Sequence, residues 1–149
     1  MLPAAMADAK LRALSHVPLF AGCTLKELEF IAAHTDEVSV PAGRELTRQG
    51  QRAHTFYVLL DGKAQVTIDG EVRNTMREGD FFGEISMLDQ GEGTATIVTT
   101  TPCRLMVMSH AQFRDVVKSQ DGILVKVLEA MARRLRSDLE IARAELKAN

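Results

Sequence analysis

Cysteine is scarce in this chain: Cys23 and Cys103 are the only two, far apart and in no Cys-x-x-Cys pair. They read as reduced, small core residues, which excludes a disulfide framework. The histidines, His16, His34, His54 and His110, are scattered and form no His-x-His or similar ligand spacing, so no metal centre is expected. No Gly-x-Ser-x-Gly, no Gly-x-x-x-x-Gly-Lys-Ser/Thr and no Cys/His nucleophile pair occurs, and the chain is not expected to be an enzyme. Long apolar runs are absent too. The longest pieces, such as Phe56–Leu60, fall far short of the ~20 residues of a membrane span. Met1–Asp8 has no basic region followed by an apolar core, so it does not read as a secretory signal. A strong charge of one sign is also missing, since 18 Lys and Arg against 20 acids give a net charge of −2. That excludes non-specific binding to nucleic acid or anionic membranes through the overall field. What remains is a cytoplasmic globular protein, and 149 residues correspond to one domain able to bury a core.

Two helical patterns open the chain. Leu11 and Leu14 suit a short amphipathic helix that Pro18 ends. Thr24 followed three residues later by Glu27 is a capping box, opening a helix with Leu25, Leu28, Ile31 and Ala32 on one side. From Val38 the period changes to two. Pro41-Ala42-Gly43 is a turn, Glu45–Gly50 a strand ending at glycine, and Phe56–Leu60 a buried strand. Asp61-Gly62 and Asp69-Gly70 are hairpin signals on either side of the alternating Ala64, Val66 and Ile68. Thr94–Thr100 and Cys103–Met108 complete about eight short strands, the pattern of a sandwich or jelly-roll barrel. Ser109 is an N-cap for a helix over 111–118. A longer helix runs from Asp121, with Leu124, Leu128, Met131, Leu135, Leu139, Ala142 and Leu146 stepping by three or four. A stripe about seven turns long exceeds what a domain of this size can cover, so its outer half is expected to pair with the same helix of a second subunit. The alternative is a helix folded back on its own strands. Arg133, Arg134, Arg136 and Arg143, interspersed with acids, read as a solvated face.

The stretch that organises the rest is Phe81-Phe82-Gly83-Glu84-Ile85-Ser86-Met87-Leu88, followed by Gly93-Thr94-Ala95-Thr96-Ile97. Gly83 permits a sharp turn or a close backbone approach. Glu84 opens a helical turn whose first amides have no intrahelical partner and can receive an anion, while its carboxylate can accept from a sugar hydroxyl or simply cap its own turn. These residues resemble the phosphate-binding cassette of the cyclic nucleotide-binding domain family, F-G-E-[LI]-[AS]-x-L, a short loop, then R-[TS]-A-[TS]-[VI]. The pieces P-A-G-x-x-L-x-x-Q-G and F-Y-V-L-L-D-G-x-A-x-V resemble that family's first strands, and the likeness covers about residues 11–146. One position departs: Gly93 stands where the family carries arginine.

The resemblance implies a mainly β fold with flanking helices, an eight-stranded jelly-roll barrel between N-terminal helices (1–35) and C-terminal helices (110–149). Residues 36–109 would form the barrel and 81–97 the cassette of one domain, 1–149. It implies a regulatory sensor for cAMP or cGMP, with Phe82, Gly83, Glu84, Ile85, Ser86, Gly93, Thr94 and Ala95 lining the site. Residues near Asp138 would cap the base. An Arg fork suits a phosphate bidentately and glycine offers no replacement, so binding is expected to be weak, with Arg52 a candidate substitute cation. The other reading is a cassette that no longer binds nucleotide, in a module for dimerisation or partner docking. No cofactor is implied. No helix-turn-helix follows the long helix, so output is expected through a protein partner or a neighbouring domain rather than DNA, and several N-terminal cysteines for iron–sulfur sensing are missing.

Overall fold

The computed structural model describes residues 4–148, with side chains from Ala9 onward. Met1–Pro3 and Asn149, which the single-domain reading of 1–149 includes, lie outside the described residues, as do the side chains of the N-terminal segment weighed as a signal. The chain begins with α1 (Ala4–Ser15), a 3-10 turn at Pro18–Phe20, and α2 (Leu25–Ala33). At the start of α2 the Thr24 side chain accepts from the Glu27 amide, and the Glu27 carboxylate accepts from the Thr24 amide at 2.8 Å, closing the predicted capping box.

Eight strands follow: β1 (Asp36–Val40), β2 (Glu45–Thr47), β3 (Thr55–Asp61), β4 (Ala64–Ile68), β5 (Glu71–Met76), β6 (Phe81–Phe82), β7 (Thr96–Thr99) and β8 (Cys103–Ser109). They form two four-stranded sheets, ordered β1-β8-β3-β6 and β2-β7-β4-β5. The nested pairing of first with last is jelly-roll connectivity, but the sheets face each other as separate layers and do not close into the expected barrel. Asp69-Gly70 makes the predicted hairpin between β4 and β5, with φ of 52° and 80° at the two turn residues. Asp61-Gly62 does not. It carries the chain from one sheet to the other, because Gly62 (φ 103°) lies against Pro102 and Cys103, where a Cβ would stand 2.6 Å from the Pro102 oxygen. The local turn signal was right, while the pairing partner was set by the opposite sheet.

Alternation along β3 divides the core. Phe56, Val58 and Leu60 join the helices' Leu14, Phe20 and Ile31 on one side, while Leu59 and the partly buried Tyr57 point between the sheets towards Phe82, Ile97 and Leu105. The cassette residues form β6 and a short α3 (Glu84–Asp89), and the chain ends with α4 (His110–Ser119) and α5 (Asp121–Ala148). α5 lies on the 3-10 turn through Ile123, Val127 and Ala130, which are buried. Of the expected stripe one residue further on, Leu124, Leu128, Leu135, Leu139, Ala142 and Leu146 are exposed, whereas Met131 packs against the core. Two apolar stripes therefore share α5, and the inward one escapes a search for long leucine spacing because it is short and built from Ile, Val and Ala.

Candidate functional site

Gly83 begins the site. Its φ of 85° is left-handed, and a Cβ there would collide with the Thr55 carbonyl oxygen of β3. The glycine lets the chain turn into α3 directly against the sheet, and its own carbonyl accepts the first helical hydrogen bond from Met87 at 2.9 Å. Phe82, just before the turn, is buried between the sheets and stacks on Tyr57 with ring centroids 4.8 Å apart. Burial pushes the Tyr57 phenol above its ordinary value.

The turn directs Glu84 inward. It is buried, and its Oε1 accepts a 2.8 Å hydrogen bond from Nη1 of Arg134, on α5. Glu84 does not cap its own turn: its carboxylate is committed to a guanidinium fifty residues away in sequence. Arg134 is half-exposed, in keeping with the solvated face expected for the arginines of this helix, but its pairing with Glu84 is not legible from that face. The available signal was spacing, since Arg134 stands one turn beyond the buried Ala130 and therefore on the domain-facing side of α5. Ser86 is buried as well, whereas Ile85 points outward.

A cavity of about 460 Å³ lies between this turn and α5, lined by Glu84, Phe81, Arg133, Arg134, Ser137 and Asp138, among others. The structure thus brings Asp138 and Glu84 to one cavity. It places Arg52 elsewhere, in a second cavity that Glu84 does not reach.

The segment from Asp89 to Gly93 is fastened to the β2–β3 connection. Gly93 donates to the Gln51 carbonyl at 2.8 Å and accepts from Gly50 at 2.9 Å, and the Gly91 carbonyl accepts from Ala53 at 3.0 Å. Arg52 and Glu92 form an antiparallel bridge in the same seam. A Cβ on Gly93 would lie 3.0 Å from the Arg48 carbonyl, so a side chain fits only after a small backbone adjustment. Thr94 is exposed, and the half-buried Ala95 receives a 3.0 Å hydrogen bond on its carbonyl from the Thr47 hydroxyl. In the second turn of α5, the Lys126 ammonium contacts Glu27 of α2. That ammonium first, and the Thr24 amide second, hold the Glu27 carboxyl below the usual carboxylate range.

Comparison with known proteins agrees with this geometry. Residues 37–120, more than half of the chain, match the model of the cyclic nucleotide-binding domain, and the chain belongs to that family. It is 30% identical over 115 residues to the cAMP-activated global transcriptional regulator CRP of Salmonella typhimurium, covering 73% of this chain and 55% of that protein. It is 29% identical over 114 residues to the cAMP-dependent protein kinase regulatory subunit of Aspergillus fumigatus, covering 74% of this chain and 27% of that one. Among solved structures it resembles the N-terminal domain of a transcriptional regulator from Streptomyces coelicolor A3(2), with TM-score 0.79 and 27% identity over 85% of this chain and 94% of that one. The chain spans about half the length, or less, of these curated relatives. Among the described residues no helix is long and apolar enough to cross a membrane.

Proposed function

We propose that this chain is a regulatory sensor module that takes cAMP or cGMP weakly at the Gly83–Glu84 turn and reports through α5. The observation that carries the reading is the buried Glu84 carboxylate held by Arg134, which ties the cassette turn directly to the long helix. A ribose hydroxyl competing for that carboxylate changes what Arg134 is paired with. Ligand occupancy and helix position are then linked, to the extent that the two helix positions bind ligand differently. In this reading Phe82, Ser86, Thr94 and Ala95 contribute to the ligand wall, and Asp138, which shares a cavity with Glu84, meets the base. Gly93 supplies no charge, and loss of a charge-assisted bidentate contact costs about 2–4 kcal/mol, or roughly 30- to 1,000-fold in affinity. Weak binding follows.

A second reading, a cassette without nucleotide in a docking module, draws on the outward face of α5. Leu128, Leu135, Leu139 and Leu146 are each at least half exposed, at 60%, 61%, 50% and 76%. Together with the part-buried Met131 and with Ala142 they step by three or four residues, which fits the same helix of a second copy. Output then passes to a protein partner or an adjoining domain.

Calorimetric titration with cAMP and with cGMP, for the natural chain and for Gly93→Arg, separates the two. Saturable binding by the natural chain, tightened in Gly93→Arg, supports the sensor. Silence in the natural chain with binding gained in Gly93→Arg supports the docking module, and silence in both removes the nucleotide altogether.

A further inference from the structure

Arg52 belongs to a cavity that the cassette does not use. This space, about 280 Å³, lies between the end of β2 and the start of β3, and Arg48, Arg52, His54, Thr55 and Tyr57 contribute to its wall. Arg48, Arg52 and His54 line it together with one carboxylate, Glu45. That carboxylate is already neutralised, because Arg48 grips it with Nε at 2.7 Å and Nη2 at 3.0 Å. The grip fixes the plane of the Arg48 fork. Arg52 has no ion-pair partner among the described residues, in contrast to Arg48, Arg73, Arg104, Lys126 and Arg134. Its backbone is nonetheless held by the bridge to Glu92. With Arg48 and Glu45 compensating each other, Arg52 is left as the uncompensated charge on the cavity wall.

We infer that this cavity is a second ligand site, separate from the Gly83–Glu84 turn, for a small phosphate-bearing anion. Planar guanidiniums suit phosphate oxygens bidentately, and an imidazole beside them offers a further N–H donor. The volume lies at the lower end for ligand cavities, which favours a free inorganic phosphate or a compact phosphomonoester over a nucleotide. The site also has a mechanical consequence. Its Gln51 and Ala53 are the residues hydrogen-bonded to Gly93 and Gly91, so an anion seated there braces the Asp89–Gly93 segment from behind. This inference does not depend on whether the cassette binds nucleotide.

The test is an amide chemical-shift titration of the full chain with inorganic phosphate at low ionic strength, with matched chloride as the ionic control. Arg52→Gln removes a key charge, and because Arg52 is exposed the substitution leaves the core untouched. Arg114→Gln, on the exposed side of α4, is the charge-matched control. The expected result is a saturable response over Arg48–Thr55 and 91–93 that chloride does not reproduce. Arg52→Gln weakens it by about tenfold or more, and Arg114→Gln leaves it unchanged. Shifts that fail to saturate, that chloride matches, that centre on Gly83–Ser86, or that persist undiminished in Arg52→Gln overturn the assignment.

Discussion

Arg134 on α5 donates a 2.8 Å hydrogen bond to the buried carboxylate of Glu84, joining the last helix to the first turn of the cassette. The two partners are not equivalent: the Glu84 side chain is 11% exposed and that of Arg134 49%. Removing the arginine strands a buried carboxylate, whereas removing the carboxylate leaves a guanidinium that water can reach. Arg134→Gln is therefore expected to cost about 1–2 kcal/mol, and Glu84→Gln less than about 1 kcal/mol. Urea unfolding of both variants measures the difference, and equal or reversed costs contradict the asymmetry.

The turn before Glu84 tolerates no side chain. Gly83 combines a φ of 85° with a Cβ position blocked by the Thr55 carbonyl, so both backbone strain and a collision with the sheet oppose substitution. Gly83→Ala is expected to destabilise the fold by about 2–4 kcal/mol. A loss below about 1 kcal/mol by chemical denaturation means that the turn relaxes without cost.

Acid should act through Glu27. Its carboxyl is held low by Lys126 and then by the Thr24 amide, so the folded chain binds this proton less readily than the unfolded one. The stabilisation is complete above the unfolded carboxylate value of about 4.3 and is lost as pH falls through the lower folded value. Lys126→Met removes the largest cause. Stability followed from about pH 6 to pH 3 should decline less steeply in the variant than in the natural chain. Parallel curves mean that the contact between α2 and α5 carries little linkage.

The outward leucines of α5 predict self-association. Leu135→Asp and Leu139→Asp place charge on the exposed stripe without touching Ile123, Val127 or Ala130, which hold the helix to its own domain. Sedimentation equilibrium should find a dimer for the natural chain and a monomer for the double variant, with helical content retained. A monomeric natural chain refutes the pairing.

Local chemistry was legible along the chain. The Thr24–Glu27 and Ser109 caps, the Asp69-Gly70 hairpin and the period-two strands all follow from residues within a few positions of one another. Those preferences need no distant partner, so sequence by itself determined them, and with them the mainly β character and the place of the cassette. Longer-range outcomes were decided by packing. Asp61-Gly62 bridges two sheets because Cys103 and the Pro102 carbonyl occupy the space beside it. The rotation of α5 follows from Ile123, Val127 and Ala130 meeting the 3-10 turn, which turns the leucines outward and delivers Arg134 to Glu84. The same folding divides Arg52 and Glu84 between two cavities. A helix's periodicity defines its faces but not which of two apolar faces wins the core, and only the shape of the surface it meets makes that choice.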